Sequence, residues 1–105
     1  MESRIEHAHA APDGIKALHQ IENYVKHSGL ELGLLDLVKT RVSQINGCAY
    51  CLDMHTKDAR ARGEAEQRLY ALDAWRETPF FSERERAGLA WAESVTRVAE
   101  THVPD

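Results

Sequence analysis

Apolar positions recur at spacings of three and four along most of this chain, and no sustained alternating run of Val and Ile is present. That period predicts α-helices and no sheet. The first helix is expected from Pro12 or Asp13 to Ser28, with Ile15, Leu18, Ile21 and Val25 as its buried stripe. Pro12 suits a first turn, and Gly29 suits an exit. A second helix is expected from about Glu31 to Ile45, with Leu34, Leu37, Val38, Val42 and Ile45 on one face and Asn46-Gly47 as its stop. The third starts at about Cys48 and ends near Arg62, where Gly63 breaks it. A short fourth covers Ala65 to Trp75, and Pro79 blocks its continuation. The fifth begins at Ser82, which forms a capping-box signature with Glu85 three residues on. Ala87, Leu89, Ala90, Trp91, Ala92, Val95 and Val98 provide its apolar surface.

Short connections and the absence of repeats or low-complexity tracts give the expected architecture. It is an all-α, compact antiparallel domain of about five helices, with the C-x-x-C at the N-terminus of the third. Residues 1–11 read as a flexible arm, and residues 12–105 as the helical domain. His102-Val103-Pro104-Asp105 reads as the start of a further helix, since Pro and Asp favour a first turn. From this we expect a missing C-terminal helix, or a neighbouring subunit covering the exposed face.

Composition narrows the function. The chain has 105 residues, 43% of them hydrophobic, enough for one modest core. A net charge of −4 and no basic run among aromatics give no electrostatic reason to bind nucleic acid or an anionic membrane. No apolar stretch approaches the ~20 residues needed to span a bilayer. The first eleven residues are polar and rich in His and Ala, and lack the apolar core of a secretory signal. A cytoplasmic location is expected.

The two cysteines, Cys48 and Cys51, are three residues apart. Crosslinking so short a loop gains little chain entropy, so stabilisation is a poor reason for the pair to exist. Placed at a helix start, Cys48, Cys51 and His55 share one face. Unsatisfied N–H groups and the helix dipole favour a thiolate there, and such thiols have pKa values lowered into a range of roughly 3.5–7.5. His55 can take a proton from Cys51 or stabilise its anion. These parts suffice for a thiol peroxidase: Cys51, nearer His55, attacks a peroxide, and Cys48 resolves the sulfenic acid to a disulfide. Two other readings of the same residues are open. Cys48, Cys51 and His55 are plausible zinc ligands, although no second C-x-x-C or H-x-x-x-H supplies a fourth. The cysteines could also be inert and buried.

The string Arg41-Val-Ser-Gln-Ile-Asn-Gly-Cys-Ala-Tyr-Cys-Leu-Asp-Met-His55 resembles the core motif of the alkylhydroperoxidase D and carboxymuconolactone decarboxylase superfamily. The likeness runs from about Ile15 to the chain's end, through Arg62-Gly63, Leu69 to Trp75, and Phe81 to Ala87. It implies an all-helical protein assembled as homotrimer or homohexamer, with an antioxidant peroxidase activity on hydrogen peroxide or organic hydroperoxides. It also implies a dithiol reductant such as a lipoylated protein, and no cofactor. The family's redox cysteines fall on Cys48 and Cys51, and its histidine on His55. Its acidic proton-relay residue, usually Glu, falls on Asp36, twelve residues before Cys48 and one methylene shorter; the other reading of Asp36 is an exposed charge on an amphipathic helix. Members that decarboxylate a muconolactone typically lack the cysteine pair, which counts against that non-redox activity here.

Other residues have simpler expectations. Tyr50 is a candidate to donate a hydrogen bond near the thiolate or to shape a peroxide pocket, or else to pack. Asp53 and Lys57 are spaced for an exposed ion pair. Trp75 and Trp91 are expected as core or interface anchors, and Phe80 and Phe81 as the seat of the fifth helix. His7, His9, His19, His27 and His102 show no ligand spacing.

Overall fold

The computed structural model describes residues 2–105, and every regular element among them is helical. Contacts divide the chain into two units, one ending at Leu30 and the other running from Glu31 to Asp105.

The first unit holds α1 (His7–Ala10), a single turn, and α2 (Pro12–Lys26). Pro12 opens α2 as expected, and the exit is made before Gly29, whose φ of 98° only glycine adopts without strain. The buried stripe expected on α2 is not buried. Ile15 and Val25 are half-buried, whereas Leu18 and Ile21 are 60% and 61% exposed. Amphipathic spacing shows that a helix has an apolar face, but not that its own chain covers it.

The second unit is organised around α3 (Leu32–Asn46), which packs against both α4 (Ala49–Ala61) and α6 (Glu83–Thr96). Its core is Leu37, Ala59, Leu69, Leu72, Trp75, Phe81 and Leu89, with Phe80 and Ala90 against it. The expected apolar face of α3 delivers one fully buried residue, Leu37, while Leu34, Val38, Val42 and Ile45 are half-buried. Between two helices α3 needs a wide buried surface, and Asp36, Thr40, Arg41 and Ser43 supply the rest of it. Thr40 and Ser43 manage this by donating to the carbonyls of Asp36 and Lys39, each at 2.7 Å. The close approach of α6 depends on Gly88, where a Cβ would stand 3.2 Å from Leu34.

The expected fourth helix is two pieces, α5 (Glu66–Tyr70) and a 3₁₀ segment, Leu72–Glu77, bent at Ala74. The carbonyls of Trp75, Arg76 and Thr78 accept from the Arg86 guanidinium. The fifth helix begins as expected, with the Ser82–Glu85 capping box formed in both directions. It breaks at Arg97 before a last turn, α7 (Val98–Thr101). No helix starts at His102. That residue and Val103 are left-handed, with φ of 55° and 46°, and His102 caps α7. Trp75 is a core residue, but Trp91 is 64% exposed. Asp53 and Lys57 pair at 2.8 Å on the surface of α4.

Candidate redox site

The turn from α3 to α4 builds the site. Gly47 takes a left-handed conformation, φ 62° and ψ 32°, and lets the amides of Gly47 and Cys48 return to the carbonyls of Gln44 and Ser43. The chain then reverses within two residues. Cys48, in extended backbone, becomes the N-cap of α4, a position usually given to Ser, Thr, Asp or Asn. Its Sγ accepts a hydrogen bond from the Cys51 amide at 3.2 Å, and its carbonyl accepts from Leu52 at 2.9 Å.

Cys48 and Cys51 are joined as a disulfide, their Cα atoms 5.3 Å apart. Both are half-buried, as is His55, one turn beyond Cys51 on the same face of α4. Tyr50 stands between the cysteines in sequence but is 77% exposed, and Met54, one turn on from it, is partly exposed too. The oxidised pair thus lies at the positive end of a 13-residue helix with a histidine one turn away. This arrangement can accept an incoming thiolate, release a thiolate and move a proton.

Asp36 is in a different place. It is 5% exposed, and both its carboxylate oxygens accept from the Arg62 guanidinium, at 2.6 and 2.7 Å. Arg62 is the C-cap of α4, so this pair closes the end of the antiparallel α3–α4 hairpin away from the disulfide. Asp36 precedes the end of α3 by ten residues, or roughly 15 Å of helix axis. The structure brings Cys48, Cys51 and His55 together and holds Asp36 apart from the sulfurs.

Sequence reading missed a buried charged group beneath α3. Glu93 accepts from Arg41 and Trp75, both at 2.9 Å, and from Arg76. Burial pushes its pKa up, but the donors Arg76, Trp75 and Arg41 outweigh burial and bring it to about 2. Arg41 also donates to Gln44, four residues before the N-cap cysteine. Arg76 and Arg86 both lie over the Trp75 ring, at 4.2 and 5.1 Å. The one available signal was an arginine inside an apolar stripe, which needs a buried partner that sequence spacing does not name. Among the described residues, no group of three or more His, Cys, Asp or Glu is placed to hold a metal ion, and no helix is long and apolar enough to cross a membrane.

The chain is 46% identical to the uncharacterized protein YdfG of Bacillus subtilis, matching over all 105 residues and spanning 71% of that protein. It is 32% identical over 71 residues to the uncharacterized protein YnjA of Escherichia coli, covering 68% of this chain and 39% of that one. A crystal structure of a protein of unknown function from Agrobacterium tumefaciens, described as a candidate antioxidant-defence protein AhpD, superposes with a TM-score of 0.90. It is 48% identical, over 99% of this chain and 71% of its own. The sequence profile of the carboxymuconolactone decarboxylase family matches residues 10–94. By fold, motif and profile, the chain belongs to the carboxymuconolactone decarboxylase family.

Proposed function

We propose that this protein is a thiol-dependent peroxidase that reduces hydrogen peroxide or organic hydroperoxides through a Cys48–Cys51 dithiol/disulfide cycle. The observation that carries the reading is the closed disulfide at the N-terminus of α4 with His55 one turn away. The antioxidant description of the Agrobacterium neighbour supports it. In the reduced enzyme the Cys51 thiolate attacks one peroxide oxygen. The O–O bond breaks, and the departing alkoxide leaves as alcohol with a proton from His55. Cys48 then attacks the Cys51 sulfenic acid, the S–S bond forms and water leaves. Two thiols and one hydroperoxide give one disulfide, one alcohol and one water. An external dithiol, such as a lipoyl group carried on a protein, restores the pair. A reducing compartment such as the cytoplasm suits a disulfide that must reopen on each turnover. Self-association as a homotrimer or homohexamer belongs to the same reading, and light scattering tests it.

Cys51→Ser is expected to abolish peroxide consumption, and Cys48→Ser to leave a sulfenic acid on Cys51 that a dimedone-type probe captures. If both variants keep full turnover with a dithiol reductant, the reading is wrong. The name of the matched family favours one alternative, a non-redox decarboxylase-like enzyme on this scaffold. Activity on a lactone acid that survives in the Cys48→Ser, Cys51→Ser double variant would establish it. Stoichiometric zinc in the purified protein, with unfolding on chelation, would instead establish a zinc-binding structural module.

A further inference from the structure

The two sulfurs of the disulfide are not equivalent, and the difference bears on how an external thiol opens it. Thiol–disulfide exchange can begin at either sulfur, and the one not attacked departs as a thiolate. Departure is faster for the sulfur whose thiolate is better stabilised. Both cysteines are half-buried.

Hydrogen bonding does separate them. Cys48 Sγ is the N-cap acceptor of α4 and already receives the Cys51 amide at 3.2 Å. As a thiolate it would receive the same bond with a full negative charge, at the positive end of the helix. Cys51 lies inside the first turn and spends its amide on Cys48. Among the described residues no backbone amide donates to Cys51 Sγ. Its neighbour is His55, one turn on, a proton source and not a fixed dipole.

We infer that the reductant attacks Cys51 and that Cys48 departs as the capped thiolate. This rests on the dithiol cycle proposed above. A thiolate of the donor forms a bond to Cys51 Sγ, the Cys48–Cys51 bond breaks, and its electron pair stays on Cys48. The donor's second thiolate then attacks the donor sulfur held by Cys51. The donor leaves as its own disulfide, and Cys51 leaves as a thiolate that takes a proton from His55. The donor is oxidised by two electrons and the protein pair is reduced by two. Each departing sulfur has its own stabiliser, the helix cap for Cys48 and the imidazole for Cys51. Cys51 is the electrophilic sulfur in both halves of the cycle, as the sulfenic acid that Cys48 attacks and as the Cys48–Cys51 disulfide sulfur that the donor attacks.

The test traps the first exchange. The full chain is oxidised with diamide, mixed with 2-mercaptoethanol and quenched with N-ethylmaleimide. Fragmentation of the tryptic peptide from Val42 to Lys57 then locates the two labels. The mercaptoethanol is expected on Cys51 and the maleimide on Cys48, in excess by about tenfold, the factor that roughly 1.4 kcal/mol of thiolate preference gives. Equal labelling or the reverse pattern overturns the inference. A second readout is the pH profile of iodoacetamide alkylation in the single Ser variants. The midpoint for Cys48 in Cys51→Ser is expected below that for Cys51 in Cys48→Ser, and equal or inverted midpoints overturn it. Diamide makes the disulfide without any peroxidase activity. Failure of the peroxidase reading would appear separately, as no disulfide formed by one equivalent of hydroperoxide, with the label positions unaffected.

Discussion

The motif resemblance places an acidic proton-relay group on Asp36, yet its carboxylate is committed to Arg62. The shorter side chain is buried and tied at the far end of the α3–α4 hairpin from the sulfurs. Asp36→Asn is therefore expected to lower stability while costing the rate of disulfide formation far less than the ~100-fold that loss of a direct proton-transfer group brings. Stopped-flow thiol loss with hydroperoxide, set beside a urea melt, separates the two effects. A drop in rate beyond that factor, with stability intact, would return Asp36 to the relay. Arg62→Ala is the harsher change for folding, because it leaves a buried carboxylate without its donor, whereas removing Asp36 leaves a cation that can reach water.

At the scale of the element, the site depends on the exit of α3 more than on any property of α4. Gly47 has open space around the position of a Cβ, so a substitution there meets backbone strain and no clash. Gly47→Ala is expected to cost about 1–2 kcal/mol, from the left-handed φ of 62° alone. The same change would loosen the Cys48 amide's bond to Ser43 and with it the N-cap. Slower disulfide closure in the variant, measured at a temperature where it is fully folded, would show that the turn positions the sulfurs; an unchanged rate would reduce Gly47 to a stability role. At the start of α6 the Ser82 hydroxyl accepts from Glu85, whose carboxylate is also held by Arg68. Ser82→Ala is expected to cost about 1 kcal/mol in a thermal or urea melt with no effect on thiol chemistry.

For the molecule as a whole, the Glu93 group joins α3, the 3₁₀ segment and α6 through Arg41, Trp75 and Arg76. Its folded pKa of about 2 lies below the ordinary 4.5, so the unfolded chain takes up the proton first. The stabilisation is complete above about pH 4.5 and is lost as pH falls toward 2, a contribution of roughly 3 kcal/mol by linkage. The urea midpoint of the wild type should therefore fall across that window by more than that of Glu93→Gln, which should be less stable at neutral pH; parallel curves would show that Glu93 does not carry the effect. None of this group could be paired from sequence, because a buried carboxylate and its donors lie up to 52 residues apart. What was legible by itself was local. Helical period, Pro12, Gly47, Gly63 and the Ser82 box are short-range signals, and they located the main helices and the helix-start cysteines. Spacing on one helix likewise put Cys51 and His55 on one face, since a four-residue step is one turn whatever the rest of the chain does. Tertiary structure alone decided which amphipathic faces are covered, leaving α2 and Trp91 exposed and filling α3 with polar residues. It also bent the fourth helix at Ala74 and gave Asp36 to Arg62. Those outcomes depend on which side chain is nearest in space, a quantity the order of residues along one helix does not contain.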